Sequence, residues 1–219
     1  MGRKRNRVPM LKEHFGVVAA LLGIIKASPG DCRHLALLSL NNLSIPLENK
    51  KLLSEDIDAT PLLPVLMDVI KTDATESYLS CICLMNLSFL ESSVSLLASF
   101  PQFLATISAF LQSAKLGSEG VRWACGLLKN LSRHSTAARL ILDTQIPAQL
   151  LDNLKTTSNN SGRWSNNSVE DFALFAVLSL AQHASVGDVD TGQLKDAIAV
   201  VKPVAATAIG IQSLKAKVR

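Results

Sequence analysis

The sequence predicts an all-α fold, a solenoid in which about four to five helical repeats pack one after another. Three observations lead to this prediction. The triplet Asn-Leu-Ser occurs at 42–44, 86–88 and 130–132, with a spacing of 44 residues both times. Each copy ends a segment that has the apolar periodicity of a helix. Apolar residues make up 48% of the chain but aromatic residues only 5%, which suits packed helices better than a β-sandwich.

The segments that end in the triplet agree column by column. A fourth, degenerate copy is DFALFAVLSLA, in which Ser179 takes the place of the Asn. Positions +1, −2, −5 and −6 relative to the Asn share one face of a helix with 3.6 residues per turn, so they are predicted to form the core. In that order the columns are Leu43, Leu87, Leu131, Leu180; Leu40, Leu84, Leu128, Val177; Leu37, Cys81, Cys125, Leu174; and Ala36, Ser80, Ala124, Ala173.

Two further helical segments precede each of these helices. In the best-preserved unit, residues 48–57 form a short amphipathic stretch and residues 59–71 a longer apolar one. Pro61, Pro101 and Pro147 each lie near the start of the second segment. Proline is tolerated there because the first turn of a helix has N–H groups without intrahelical partners. Each unit is therefore predicted to hold a short, a medium and a long helix.

This helix triplet, with an Asn near the end of its third helix, resembles the armadillo repeat over about residues 8–184. The resemblance implies a right-handed α–α superhelix whose third helices line a concave groove. The paired-helix HEAT repeat is the alternative. The predicted divisions are a basic disordered tail at 1–7, repeats at about 8–44, 45–89, 90–132 and 133–184, a flexible insert at 156–168, and a divergent helical cap at 185–219.

Third-helix residues opposite the core columns are predicted to face the groove. Armadillo import receptors and catenin-like proteins hold extended peptides with an Asn ladder, since an Asn tip both donates and accepts hydrogen bonds. The resemblance implies this role for Asn42, Asn86 and Asn130. The alternative is a structural role, in which each Asn bonds local backbone and each following Ser caps the next helix. The predicted groove residues are Asn42, Asn86, Asn130, Leu38, Ile82, Tyr78, Phe89, Arg122 and Phe175.

One departure from the family pattern concerns the ligand. Import receptors place a Trp four residues before the Asn, where this chain has Leu38, Ile82 and Gly126. Trp123 stands instead in a column with Leu35, Leu79 and Phe172, and is predicted to pack. A nuclear-import adaptor is therefore disfavoured, and apolar ligand side chains fit the predicted groove better than lysines do.

The predicted function is a non-enzymatic module that binds an extended peptide or a partner helix along this groove. The alternative is an armadillo-type regulatory domain that acts on a folded partner, as a nucleotide exchange factor or co-chaperone. The sequence contains no phosphate-binding loop, dinucleotide turn, metal-ligand cluster or nucleophile–base pairing. No enzymatic activity, cofactor or metal is therefore expected.

Charge and cysteine placement complete the predictions. The net charge of +4 equals the four basic residues of the first seven, so the body has no basic stripe and no nucleic-acid groove is expected. The tail is predicted to be a solvated segment, and the alternatives are a nuclear localisation signal or contact with anionic surfaces. No apolar stretch is long enough to cross a bilayer. Cys32, Cys81, Cys83 and Cys125 form no CxxC pair, which favours a reducing compartment, either cytoplasm or nucleus.

Overall fold

A computed structural model describes residues 16–27, 30–55, 61–72, 75–114, 118–158 and 169–184. These residues form eleven helices and no strand, so the predicted all-α class is confirmed. The predicted tail at 1–7 and cap at 185–219 lie outside the described residues, as do 8–15 and 159–168. The helices are α1 Gly16–Ala27, α2 Asp31–Leu43, α3 Leu47–Glu55, α4 Leu62–Thr72, α5 Ser77–Leu87, α6 Glu91–Ser99, α7 Phe103–Ser113, α8 Glu119–Leu131, α9 Ser135–Leu142, α10 Ile146–Ser158 and α11 Val169–Ala184.

The helix bounds follow the sequence pattern closely. The second unit begins with α3 and α4, where the sequence predicted segments 48–57 and 59–71. Pro147 lies in the first turn of α10, and Pro61 directly precedes α4. Residues 156–158, at the start of the predicted insert, continue α10 as helix.

The Ser of each triplet ends its helix. Helices α2, α5 and α8 end at the Leu of the triplet, and the next residue is the C-cap. The backbone N–H groups of Ser44, Ser88 and Ser132 donate to the carbonyl four residues back, over 3.0, 2.9 and 2.8 Å. Each Ser hydroxyl also donates to the carbonyl three residues back, at 2.7, 2.7 and 3.0 Å. The Ser therefore satisfies carbonyls of the preceding helix. It does not cap the following helix, which was one of the alternatives that the sequence offered.

Equivalent helices of successive units pack against one another. The third helices contact in the order α2, α5, α8, α11, and the second helices in the order α1, α4, α7, α10. The first helix α6 packs on its equivalent α9. Each unit thus packs against the units next to it as well as within itself.

The core lies where the four columns predicted it. All sixteen side chains at positions +1, −2, −5 and −6 are buried. Leu40, Leu84 and Leu128, all at position −2, have no exposed surface. Burying one Leu contributes about 1.5–3 kcal/mol relative to leaving it in water, so these columns supply much of the drive to fold.

The buried cysteines act as small packing residues. Cys81, Cys83 and Cys125 are free and buried, whereas Cys32 is exposed. Burial raises the pKa of Cys81 to about 12, and the neighbouring Cys125 thiol adds to the shift. Burial likewise raises the pKa of Cys83 to about 12, against a hydrogen bond from Ser44 that lowers it. A thiol with a raised pKa is a poor nucleophile, and the complete burial of Cys81 and Cys125 agrees with the packing role predicted for them.

Ser80 is a polar residue in a column of alanines. Its hydroxyl is fully buried and has no hydrogen-bond partner among the described residues, while Ala36, Ala124 and Ala173 hold the same position in the other units. We expect Ser80→Ala to stabilise the fold by about 1 kcal/mol, because it removes an unsatisfied buried group. Urea denaturation measures the change, with the exposed Ser39→Ala as a control that should stay within about 0.5 kcal/mol. Destabilisation by Ser80→Ala would contradict this account of the column.

No single helix in the described ranges is long and apolar enough to cross a bilayer. Helices α6 and α7 taken together have the length and the apolar composition of a bilayer-crossing segment, but they are bent by 79° at their junction.

Candidate binding surface on the third helices

The Asn of one unit is bound to the Ser of the unit before it. The Asn86 Nδ2 atom donates to the Ser44 hydroxyl at 3.0 Å and to Asn41 Oδ1 at 2.9 Å. The Asn130 Nδ2 atom donates to the Ser88 hydroxyl at 3.0 Å and to the Met85 carbonyl at 3.4 Å. Both Asn-to-Ser bonds span 42 residues. We call this bond the Asn–Ser clasp; it ties α2 to α5 and α5 to α8.

The first and last units lack the bond that the two middle units make to the unit before them. Asn42, in the first unit, turns back on its own helix and donates to the Leu38 carbonyl at 3.0 Å. At the other end Ser179 replaces the Asn, and no hydrogen bond joins α11 to Ser132 among the residues described. The Asn–Ser clasp therefore occurs at two junctions, and the repeated triplet has a structural use there.

The clasp limits what these Asn side chains can offer a ligand. A side-chain amide has two N–H donors, and both are used in Asn86 and in Asn130. Asn130 is also only 7% exposed. Asn42 is partly exposed, and one of its two donors has no acceptor in the described part of the chain. Asn42 is therefore the one predicted Asn with a donor available to a peptide.

The other predicted groove residues divide by exposure. Leu38, Phe89 and Phe175 are large apolar side chains that are 38%, 62% and 39% exposed. Ile82 and Tyr78 are partly buried and pack against the core. Arg122 is partly buried and donates to Glu119 at 3.0 Å within α8. We call Leu38, Ile82 and Phe175, together with Phe89 in the turn after α5, the third-helix surface.

Gly126 explains why no aromatic side chain stands four residues before the Asn of α8. A Cβ atom on Gly126 would lie 2.9 Å from Met85 Sδ and 3.1 Å from Cδ2 and Cε2 of Phe172. Met85 comes from the preceding third helix and Phe172 from the following one. The two neighbouring units therefore fill the space that a side chain at this position would need. Trp123 packs against the core as predicted, and its ring centroid lies 6.2 Å from that of Phe172. Leu35, in the same column, is 60% exposed, so the column is not buried in the first unit.

In the described ranges cations lie over aromatic rings at three places, and at one of them the Arg122 guanidinium carbon is 4.8 Å from the Trp123 centroid. The Lys129 ammonium is 5.0 Å from the Phe172 centroid and 4.5 Å from the Phe175 centroid. The Lys50 ammonium lies 4.9 Å from the Phe89 centroid. The sequence analysis missed Lys129. The i, i+3 spacing of Phe172 and Phe175 places both rings on one face of a helix, but no sequence signal indicates which cation reaches them.

Other polar contacts join units without forming a reactive site. His34 Nδ1 lies 2.9 Å from Glu76 Oε2, which links α2 to the start of α5. In the described ranges no group of three or more His, Cys, Asp or Glu side chains is placed to hold a metal ion. A cleft of about 510 Å³ opens between the second helices α7 and α10, around Ser108, Gln149 and Asp152. It lies away from the predicted groove residues.

Comparison with protein-family models, with curated proteins and with solved structures found no match. The function is therefore inferred from the contacts, exposures and charges of the chain itself.

Proposed function

We propose that this chain is a non-enzymatic protein-interaction module built of armadillo-type repeats. Its repeats stack into a right-handed superhelix, and its third-helix surface binds an extended peptide or a partner helix. One observation carries the proposal. The core columns of the third helices are completely buried, while the opposite columns keep large apolar side chains in contact with solvent.

The order of helix contacts supports the stacked arrangement. In a solenoid each unit contacts only its neighbours, and equivalent helices form parallel rows. The rows α2–α5–α8–α11 and α1–α4–α7–α10 fit this description. Such rows present one continuous surface along the third helices, and a surface of that kind suits a long, thin ligand.

The side chains on this surface favour an apolar ligand. Leu38, Phe89 and Phe175 come from three different units, and each exposes more than a third of its surface. Exposed apolar side chains that recur in three of the four units favour a binding surface along this row of helices. The Asn–Ser clasp engages the donors of Asn86 and Asn130. Side-chain contacts must then supply most of the affinity, and the backbone hydrogen bonds of an Asn ladder contribute less.

The surface also sets the length of the ligand. Neighbouring helices pack about 8–10 Å apart, so four third helices in a row span about 27 Å. An extended chain covers about 3.3 Å per residue, so a peptide of about eight residues reaches from α2 to α11.

Peptide selection tests the proposal. Displayed random peptides of about twelve residues, long enough for this span, are selected on the full chain, and the best binders are measured by fluorescence anisotropy. We expect Leu38→Ser with Phe89→Ser to weaken binding tenfold or more, about 1.4 kcal/mol, because two apolar contacts are lost. The matched control is Leu140→Ser on the first helix α9, since Leu140 is also 38% exposed. It should leave both binding and helical circular dichroism unchanged.

Two results would count against the proposal. One is a selection that enriches no binding peptide. The other is a Leu38→Ser, Phe89→Ser variant that is folded and binds as tightly as the wild type does.

A further inference from the structure

Lys129 lies at the α8–α11 end of the third-helix surface. Its ammonium rests over Phe172, which is buried, and over Phe175, which is 39% exposed. A cation within about 6 Å of a ring centroid is attracted to the face of the ring. The two rings therefore fix the position of the charge on the surface.

This charge has no acidic counterpart in the described part of the chain. No carboxylate there lies within 4.0 Å of the Lys129 ammonium. Glu119, at the other end of α8, is engaged within its own helix, since Arg122 donates to its Oε1 and the Trp123 indole donates to its Oε2 at 2.9 Å. Arg133, just after α8, is a second exposed cation without a carboxylate partner in these ranges.

A positioned lysine beside an exposed ring matches a particular pair of ligand groups. The ammonium can donate hydrogen bonds to a carboxylate while its alkyl stem and Phe175 contact an apolar side chain. Because the rings already hold the lysine, a ligand loses less side-chain entropy in ordering it.

We infer that the α8–α11 end of the third-helix surface selects an acidic residue flanked by an apolar one in the bound peptide, with Lys129 as the group that binds the carboxylate. The inference rests on the proposed function, and it names the ligand chemistry of that same surface. Phe175 supplies the apolar contact at this end of the surface.

The selected peptides test this inference. The wild type should enrich Asp or Glu next to an apolar residue, and changing that acid to its amide should weaken binding roughly fivefold, the size of a favourable exposed ion pair. Lys129→Gln should abolish the enrichment and reduce the acid-to-amide effect to less than twofold. The matched control is Lys71→Gln, which changes an exposed lysine near the end of the second helix α4. This variant should keep both the acidic enrichment and the roughly fivefold effect of changing the acid to its amide.

The outcomes separate the two proposals. Loss of the acidic preference in Lys129→Gln alone supports the inference. Enriched peptides with no acidic preference, or a preference that survives Lys129→Gln, would overturn the inference and leave the proposed function standing. If no peptide is enriched at all, the proposed function fails, and the inference fails with it.

Discussion

Asn130→Ala should destabilise the fold by about 2–3 kcal/mol. The substitution removes two hydrogen bonds, each contributing about 1 kcal/mol net, and leaves a small void at a side chain that is only 7% exposed. In a chain of this size such a loss lowers the melting temperature by about 5–10 °C. Urea denaturation followed by circular dichroism measures the free energy of unfolding, and a thermal scan measures the shift.

The first Asn of the series is the control for this prediction. Asn42→Ala removes a bond to the carbonyl of its own helix on a partly exposed face, so we expect a loss of about 0.5 kcal/mol or less. In a double-mutant cycle, the variant with both Asn130→Ala and Ser88→Ala should be destabilised by less than the sum of the two single variants, because both substitutions remove the same hydrogen bond. Equal losses for Asn42→Ala and Asn130→Ala would show that the Asn–Ser clasp does not stabilise the fold.

Gly126→Leu should destabilise the fold by about 3 kcal/mol, at the upper end of what overpacking costs. The new Cβ alone would approach Met85 Sδ to 2.9 Å, and the rest of the side chain would displace the Phe172 ring. Phe172 also lies under Lys129, so the binding end of α11 should be disturbed as well. Denaturation measures the stability, and tryptophan fluorescence reports the packing of Trp123 against Phe172.

Two variants show whether contact with the neighbouring units causes this loss. Gly23 lies inside α1 with nothing within 4 Å of an added Cβ. Gly23→Leu should therefore be neutral or stabilising by up to about 1 kcal/mol, because glycine is a poor helix former. The variant with both Gly126→Leu and Phe172→Ala should be destabilised by less than the sum of the two single variants, since the smaller side chain at 172 makes room for the leucine. A Gly126→Leu variant as stable as the wild type would refute the close packing of three units at this point.

The core of this fold could be predicted from the sequence because one physical requirement repeats in every unit. A helix that crosses a neighbour closely needs small side chains at the contact and large ones beside it. The chain meets that requirement with Ala or Ser at −6 and Leu, Cys or Val in the other columns, and all sixteen positions are buried. The all-α class follows from the same periodicity.

The partner of each Asn could not be predicted, although the necessary signal was present. Asn and Ser recur with the same period, so a bond from one unit to the next was possible wherever both were present. The sequence left peptide contact and local capping as the alternatives. A period gives the spacing of equivalent residues along the chain, but it does not say which face of one helix meets the next. Packing of α5 on α2 and of α8 on α5 decides that.

Lys129 was missed for a related reason. The column analysis compares equivalent positions, and position −1 holds Asn41, Met85, Lys129 and Leu178, which share no chemistry. Its contact with Phe172 and Phe175 depends on how α8 and α11 lie side by side. A residue with a role in one unit only leaves no periodic signal.

The absence of an Asn at position 179 makes the last junction unlike the two before it. The Asn–Ser clasp holds α2 to α5 and α5 to α8 with defined donors and acceptors, whereas at the α8–α11 junction Lys129 of one helix lies over two rings of the other. The first two junctions thus use a polar side chain to join two units, while the last places a cation beside a partly exposed ring, where a ligand can reach it.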